Sequence, residues 1–388
     1  MAAEPLRLSS RVAVEAPNEL AVARQAAQSS GKIIWDLTDS NPTRHGLMDP
    51  GVMTAVVRHL DEASHYAPDP KGWRPAREAL AGRFGGRPDD YWLTGSTSEA
   101  YSWLFTILAE PAQAVGMPVP GYPLVEPLAR LAGLQTLAYP AFYVHPHGWE
   151  LNLDVARNVA ERARAMVVVN PNNPTGAYVN PATAAALGET CASAGVPLIA
   201  DEVFFPFWLG GDDSTPPRRL ADTAGKDAVV ITLDGLSKLL AAPQLKVSWL
   251  RLSGPPELTA PLAEALDTVA DTYLSVNSLA ACALPELLTL ADLTVARIRV
   301  RCIANLAALQ GLGDEYRVRR TEGGWTALVD LPRLMDDDEL GQRLLQNGLS
   351  AHPGWFYDFA SGGAIAVSLL PEPPVFADSL RRLARALG

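Results

Sequence analysis

Short apolar runs alternate with longer stretches rich in alanine, leucine and arginine along the first two-thirds of the chain. The apolar runs occupy residues 114–119, 166–170, 197–200 and 228–233, and a typical stretch between two of them covers residues 181–194. Runs of this length predict buried strands, and the intervening stretches are long enough for crossover helices. The pattern therefore predicts an α/β fold with a mostly parallel sheet flanked by helices.

The pattern changes near residue 279. Residues 279–301 predict one long Ala/Leu-rich helix that leads out of the first unit, and residues 316–320 and 325–331 predict strands of a smaller α+β unit. A chain of 388 residues, 48% of them hydrophobic, is also longer than one ordinary core requires. We therefore expect a large and a smaller domain, joined without a low-complexity linker.

Composition and charge argue against several classes of function. The formal net charge of -11 and the absence of a Lys/Arg stripe argue against a nucleic-acid-binding surface. The N-terminal residues lack the apolar segment of a signal peptide, and no run of eighteen apolar residues suggests a membrane span. The sequence therefore predicts a soluble, cytoplasmic protein that acts on small molecules.

Neither the cysteines nor the histidines show the spacing of a metal site. Cys191, Cys282 and Cys302 are far apart and lie in apolar surroundings, which is typical of buried free thiols in a reducing compartment. His145 and His147 lie near Glu150 without the spacing of metal ligands. We therefore expect no metal ion.

Three polar residues closely follow predicted strands. Asn173 comes after the run at 166–170, Asp201 after 197–200 and Lys238 after 228–233. Because the carboxyl ends of parallel strands meet at one edge of a sheet, we expect these side chains to lie close together. Asp201 could instead cap a helix, and Asn173 could belong to an ordinary Asn-Pro turn.

Lys238 is the candidate nucleophile. The chain has only five lysines among its 32 basic residues, and Lys238 alone follows a buried-strand pattern at a turn of small residues. An amine in such a position can form a Schiff base with a carbonyl group. Pyridoxal phosphate is the carbonyl cofactor whose other groups this layout could serve.

Three motifs, in their order and separations, resemble the class I/II (aspartate aminotransferase-like) pyridoxal-phosphate enzymes of fold type I. They are Asn173-Pro174-Thr175-Gly176, Asp201-Glu202-Val203-Phe204 and Leu236-Ser237-Lys238. One motif alone would be weak, whereas three in register are specific. The resemblance extends from about residue 41 to about residue 370. It implies a large cofactor-binding domain at 41–292 and a small domain formed from 1–40 and 293–388.

The resemblance also implies a role for each residue of the catalytic set. Lys238 would carry pyridoxal 5'-phosphate as a Schiff base and move the substrate proton, and Asp201 would keep the pyridine nitrogen protonated. Asn173 would hydrogen-bond the phenolate oxygen of the cofactor and border the substrate. Tyr122, in Pro120-Gly121-Tyr122-Pro123, would stack on the ring, although by pattern alone such a tyrosine is typical of a core.

The phosphate of the cofactor needs hydrogen-bond donors. Ser96, Thr97 and Ser98 precede an apolar helical stretch at 101–108. Free backbone N–H groups and hydroxyls at such a helix start can bind a dianion. On sequence alone, a simple capping box fits this stretch as well as a phosphate site does.

The resemblance adds three more residues to the phosphate site. Ser237 and Lys246 would complete it, and Tyr66 would reach the phosphate of a neighbouring subunit, which implies a homodimer. Two positions depart from the family pattern: Lys246 stands where arginine is usual, and Gly235 stands where a phosphate-binding serine is frequent. A lysine cannot make the forked contact of arginine, so weaker phosphate binding is expected.

Two further departures concern the ring and the substrate. Phe204 stands where the family commonly has a tyrosine that donates a hydrogen bond to the phenolate. The loss of this donor should raise the pKa of the Schiff base. Ala366 lies where the family usually has the arginine that binds the substrate carboxylate. Arg44, in a loop that borders the substrate in the family, is our candidate substitute, although an exposed loop arginine explains it equally well.

The sequence therefore predicts an aminotransferase that moves an amino group between an L-amino acid and a 2-oxo acid through Lys238. A lyase or decarboxylase of the same fold is the alternative, because Ala366 replaces the carboxylate-binding arginine. A cofactor-binding regulatory domain is the least favoured, since residues 1–40 are too short and too acidic for a DNA-binding extension.

Overall fold

The computed structural model describes residues 8–13, 16–210, 216–274, 276–331, 336–359 and 363–387. The α-helices in these ranges are α1 (Glu19–Ser29), α2 (Gly51–Arg58), α3 (Leu60–Ala63), α4 (Arg74–Phe84), α5 (Thr97–Leu108), α6 (Val125–Leu131), α7 (Leu153–Ala160), α8 (Pro181–Ala194), α9 (Leu220–Thr223), α10 (Leu236–Leu239), α11 (Pro256–Tyr273), α12 (Ser278–Thr289), α13 (Ala291–Gln310), α14 (Asp337–Gln346) and α15 (Pro373–Leu387).

The strands are β1 (Trp35–Asp36), β2 (Tyr91–Thr94), β3 (Ala114–Val119), β4 (Gln135–Val144), β5 (Gly148–Leu151), β6 (Met166–Val169), β7 (Leu198–Asp201), β8 (Val230–Gly235), β9 (Ser248–Ser253), β10 (Arg317–Val318), β11 (Thr326–Asp330), β12 (Leu349–Ser350), β13 (His352–Pro353) and β14 (Ala364–Ser368). The four strands predicted between residues 114 and 233 correspond to β3, β6, β7 and β8. The helix predicted at 181–194 corresponds to α8.

Eight strands form one large sheet in the order β2-β9-β8-β7-β6-β3-β4-β5. Strands β8, β7, β6, β3 and β4 run parallel to one another. At the edges, β9 pairs antiparallel with β8, β2 with β9, and β5 with β4. One face of the sheet packs against α5, α6 and α11, and the other face packs against α7 and α8. Because both faces are buried, the central strands are continuous apolar runs.

A second sheet has the antiparallel order β10-β11-β14-β13. A separate parallel pair joins β1 to β12, with Trp35 opposite Leu349. This pairing brings the N-terminal segment beside the C-terminal part of the chain. The domain boundaries at 40/41 and 292/293 remain a prediction.

The single long helix expected at 279–301 is wrong, because the chain forms α12 and α13 with a bend of 69° between them. Helix α12 packs against α2 and α4, whereas α13 packs against α15. Asn305 of α13 also donates to the carbonyls of Leu369 and Pro371. No glycine or proline marks the bend at Leu290, so tertiary packing sets it. Within the described ranges, no single helix is long and apolar enough to cross a membrane; α12 and α13 pass that test only together, across the bend.

Candidate active site

A cavity of about 380 Å³ lies at the carboxyl ends of β6, β7 and β8. Its walls also include the N-terminus of α5 and residues of β11, β13 and β14, so both sheets contribute. Ten of the candidate cofactor-binding residues line it: Ser96, Thr97, Ser98, Tyr122, Asn173, Asp201, Phe204, Ser237, Lys238 and Lys246. The strand-end argument therefore correctly predicts that Asn173, Asp201 and Lys238 share one cavity.

Lys238 lies in α10, directly after β8. Burial lowers the pKa of its amine to about 8, because the ammonium loses its water, and the charge of Asp201 opposes this shift only in part. The Nζ atom lies 5.2 Å from the ring centre of Phe204 and 5.0 Å from that of Trp325. Near neutral pH the amine is therefore uncharged more often than an exposed lysine, as a nucleophile requires.

Asp201 is the last residue of β7. Burial raises the pKa of its carboxyl to about 6, although hydrogen bonds from the Val203 N–H and the Tyr101 hydroxyl lower it. Among the described residues, the next α-helix after Asp201 begins only at Leu220. Asp201 is therefore not a helix cap, and its carboxylate stands in the cavity wall.

Asn173 lies in the turn that follows β6. Its side-chain oxygen is buried and has no hydrogen-bond partner in the part of the chain that the structure describes. The turn itself is fixed by neighbouring residues, since Asn172 accepts from the Thr175 hydroxyl at 2.9 Å and Asn170 donates to Glu202 at 2.9 Å. A buried, unpaired amide oxygen in a cavity wall is a place where a bound molecule can supply the missing partner.

Ser96 caps the N-terminus of α5, but the capping box that the sequence suggested is not formed, because the Glu99 carboxylate bonds to Gly95 instead of to the backbone N–H of Ser96. Ser96 accepts from the Glu99 N–H at 3.1 Å, and Glu99 accepts from the Gly95 N–H at 2.5 Å. Thr97 and Ser98 still line the cavity, as does Lys246. A twelve-residue helix directs the positive end of its dipole at this point, so the Ser96 cap is compatible with an anion site.

A neighbouring side chain explains the departure at Gly235, whereas nothing in the structure explains lysine instead of arginine at position 246. A Cβ atom on Gly235 would lie 2.3 Å from the Oγ atom of Ser248 on β9, so a serine at position 235 would clash with the buried Ser248. Lys246 adopts a left-handed backbone conformation with φ of 52°, and Asn277 donates to its carbonyl at 3.2 Å. The turn that carries Lys246 is therefore fixed by a side chain from another element.

The wall formed by β14 is neutral. Ala366 is buried there, opposite Leu328 and His352. Burial lowers the pKa of His352 to about 4, so the imidazole is uncharged near neutral pH. Its ring stacks on Phe356 with centres 4.3 Å apart. Among the described lining residues, the basic side chains are Lys238, Lys246 and His352, and none is an arginine.

Two residues singled out from the sequence do not line the cavity. The side chain of Arg44 is 70% exposed and lies 3.5 Å from the carboxylate of Asp39. Tyr66 is 73% exposed. A role for Tyr66 at a neighbouring subunit's site needs such exposure, whereas in the described part of the chain Arg44 pairs with Asp39, which does not line the cavity. Both assignments stay predictions.

The sequence argument missed Tyr101 and Trp325, which also line the cavity. Tyr101 could have been found, because it follows Thr97 by four residues and Ser98 by three on one helix face. Trp325 carries no local signal, since it reaches the site from the second sheet. It packs edge-on against Phe204, with ring centres 5.3 Å apart.

Comparison with known proteins gives consistent results. The family described as aminotransferase class I and II matches residues 36–357. The chain is 29% identical over 261 residues to the alanine aminotransferase of Mycobacterium tuberculosis, covering 64% of this chain and 59% of that protein. It is 28% identical over 245 residues to the S-alkyl-thiohydroximate lyase SUR1 of Arabidopsis thaliana, covering 61% and 52%.

A solved structure extends the likeness to the whole fold. The alanine aminotransferase from Pyrococcus furiosus superposes with a TM-score of 0.87 at 22% identity, covering 98% of this chain and 99% of that one. The predicted α/β architecture is thereby confirmed. In sequence, by contrast, the matched part spans about three-fifths of the length of the curated relatives.

Proposed function

Because the chain belongs to the class I and II aminotransferase family, we propose that it is a pyridoxal-phosphate-dependent aminotransferase acting on an L-amino acid and a 2-oxo acid. The observation that carries the proposal is that one cavity contains both a buried lysine of lowered pKa and a buried aspartate at the end of the neighbouring strand. An amine and a carboxylate in these states suit a carbonyl cofactor with a basic ring nitrogen.

The described residues fit pyridoxal phosphate. Thr97, Ser98 and the start of α5 offer donors to a dianion, and Lys246 adds a positive charge. Asn173 presents an amide whose oxygen lacks a partner, and Asp201 offers a buried carboxylate to a ring nitrogen. When bound, the cofactor supplies an aldehyde that captures the amino group and a ring that accepts the electrons of the broken bond.

The protein's own groups then supply positioning and proton transfer. Because its pKa is lowered, Lys238 Nζ is more often unprotonated near neutral pH than an ordinary lysine. The free amine can take a proton from the substrate carbon and return it. The negative charge of Asp201 would keep a proton on the ring nitrogen of the bound cofactor. Phe204 and Trp325 lie within 5.2 Å and 5.0 Å of Nζ and keep water from the amine.

A substrate survey tests the function. Purified protein reconstituted with the cofactor is incubated with single L-amino acids and 2-oxoglutarate or pyruvate, and the new amino and oxo acids are measured. We expect stoichiometric exchange for at least one pair. Release of ammonia or carbon dioxide without exchange would contradict transamination and favour a lyase or decarboxylase. That second candidate is supported by the neutral β14 wall and by the lyase among the relatives.

The substrate carboxylate is proposed to bind Arg44. Its loop continues from Thr38 and Ser40, which line the cavity. Arg44→Ala is expected to weaken the binding of amino acids and oxo acids alike about tenfold, as loss of a hydrogen bond to a charged group does. The absorption spectrum of the bound cofactor should not change. Arg157→Ala, which removes another exposed arginine paired with an aspartate, is the control. A second-order rate constant within a factor of about three of the unmodified protein would reject Arg44.

Phe204→Tyr should lower the pH at which the visible absorption of the bound cofactor changes. A hydroxyl at this position would donate to the phenolate and stabilise the deprotonated form, which lowers its pKa. A spectrophotometric pH titration measures the shift. Phe205→Tyr is the matched control, because Phe205 is adjacent but does not line the cavity. An unchanged or higher value in Phe204→Tyr would mean that this side chain does not face the phenolate.

We also propose that the active unit is a cytoplasmic homodimer. Exposed apolar side chains on α2, α3 and the adjoining α12, namely Met53, Val57, Leu60 and Leu279, form a face suited to a second copy. The three cysteines are buried and unpaired, which fits a reducing compartment. Cell fractionation checks the location, and sedimentation of the purified protein checks the mass.

Hybrid dimers test whether Tyr66 serves the partner's site. Tyr66→Ala should weaken cofactor binding about tenfold through a lost hydrogen bond to a charged group, and Lys238→Ala should be inactive. In a hybrid of the two, one site keeps both residues if Tyr66 acts across the interface. We expect that site to recover normal cofactor affinity and turnover. If every hybrid stays as impaired as its parents, Tyr66 does not act across the interface.

A further inference from the structure

Tyr101 and Asp201 form a buried hydrogen bond inside the cavity wall. Tyr101 lies in the second turn of α5, is 1% exposed, and its hydroxyl donates to Oδ2 of Asp201 at 3.1 Å. Among the residues that the structure describes, the other donor to this carboxylate is the Val203 N–H, at 3.4 Å from Oδ1. Tyr101 therefore supplies the shorter of the two hydrogen bonds.

The charges around Asp201 do not favour its ionised form strongly. Lys238 on α10 helps, whereas Asp234 on β8 opposes it. Arg219 lies nearby, but it pairs with Asp234 at 3.0 Å and with Glu202 at 2.9 Å rather than with Asp201. Since burial alone disfavours a carboxylate, the charged state of Asp201 depends on its few hydrogen-bond donors.

Tyr101 also links two ends of the site. It lies on the helix whose first residues, Thr97 and Ser98, line the cavity at the proposed phosphate position. A helix is stiff at this length, so the distance from the anion end to the tyrosine hydroxyl is fixed. The hydrogen bond then fixes Asp201 relative to that same helix.

We propose that Tyr101 is a positioning residue that holds the Asp201 carboxylate charged and aimed at the ring nitrogen of the bound cofactor. The inference rests on the proposed cofactor but not on which reaction follows. A purely structural role is the competing account, because any buried hydroxyl needs an acceptor. The two accounts differ in whether Tyr101 senses the ring nitrogen.

Tyr101→Phe is compared with Tyr139→Phe. Tyr139 lies on β4, is fully buried and donates to the Val167 carbonyl outside this cavity. Each variant thus removes one buried hydroxyl from the same domain. Binding is measured for pyridoxal phosphate and for its 1-deaza analogue, which has carbon in place of the ring nitrogen.

Tyr101→Phe should weaken the binding of pyridoxal phosphate about tenfold or more, the effect of losing a hydrogen bond to a charged group. The affinity for the 1-deaza analogue should stay nearly unchanged. The loss of a donor raises the pKa of Asp201, so the pH below which pyridoxal phosphate binding weakens should move upward. Tyr139→Phe should change neither the ratio of affinities nor this pH. In an Asp201→Asn background, Tyr101→Phe should add less than about a twofold effect, because the two residues act as a unit.

The inference would be overturned if Tyr101→Phe weakened the binding of both ligands equally. It would also be overturned if Tyr101→Phe weakened binding as much in the Asp201→Asn background as it does in the unmodified protein. If Tyr101→Phe does not fold, Tyr101→3-fluorotyrosine provides the test. A more acidic phenol donates more strongly, so the pH limit of binding should move downward; no movement would overturn the inference. If Tyr101→Phe changes the ratio of the two affinities as expected but the protein transfers no amino group, only the proposed reaction is contradicted.

Discussion

Lys238→Ala is expected to lose turnover by at least about 10,000-fold, the upper end of what a positioned proton-transfer group contributes. The same change removes the amine that attaches the cofactor, so borohydride reduction should no longer fix pyridoxal phosphate to the chain. In the unmodified protein, peptide mapping after reduction should place the adduct on Lys238. The amine of Lys238 is buried in this cavity, and its pKa is lowered to about 8.

Lys226→Ala is the matched control for Lys238. Lys226 is exposed and precedes β8, whereas Lys238 follows it, so the two lysines lie at opposite ends of one strand. The control should keep both turnover and the adduct. Appreciable turnover by Lys238→Ala, or an adduct mapped to another lysine, would contradict the assignment of the nucleophile.

Asp201→Ala should bind pyridoxal phosphate yet turn over about 100-fold to 1000-fold more slowly, by analogy with the loss of one preorganised electrostatic contact. The ring nitrogen then loses the charge that keeps it protonated. Asp201→Asn keeps the shape but not the charge and should be nearly as slow. With a pKa of about 6, the carboxyl of Asp201 gains a proton as the pH falls, so wild-type activity should decline on the acid side.

The rate profile of Asp201→Asn provides the check on that pH dependence. The acid-side decline that comes from Asp201 should disappear in this variant, because no carboxyl remains to titrate. Steady-state rates between about pH 5 and pH 9 measure it. Activity of Asp201→Ala within a few-fold of the unmodified protein would mean that Asp201 serves only the turn at Val203.

Chain order alone was enough to place the centre of the site. Apolar runs predicted β6, β7 and β8, and parallel strands end at one edge, so Asn173, Asp201 and Lys238 had to meet. Each of these residues lies within four positions of its strand end. The prediction needed only the period of the pattern and the direction of the strands.

Other parts of the site depend on contacts between distant segments. Trp325 reaches Lys238 from the second sheet, and Ser248 of β9 excludes a side chain at Gly235. The bend between α12 and α13 has no local breaker in the sequence. Pattern reasoning is local along the chain, so it cannot report a neighbour that arrives through tertiary packing.

A network of hydrogen bonds around Arg219 holds together the strand ends that carry the site. Arg219 bonds Glu202 and Asp234, and Glu202 also accepts from Asn170, so the ends of three adjacent strands are tied together by protein groups alone. The guanidinium is packed between Phe84 and Phe205, 5.2 Å and 4.6 Å from their ring centres. None of these bonds needs a ligand. We therefore expect these strand ends to be ordered before the cofactor binds, so that its binding costs little entropy for ordering them.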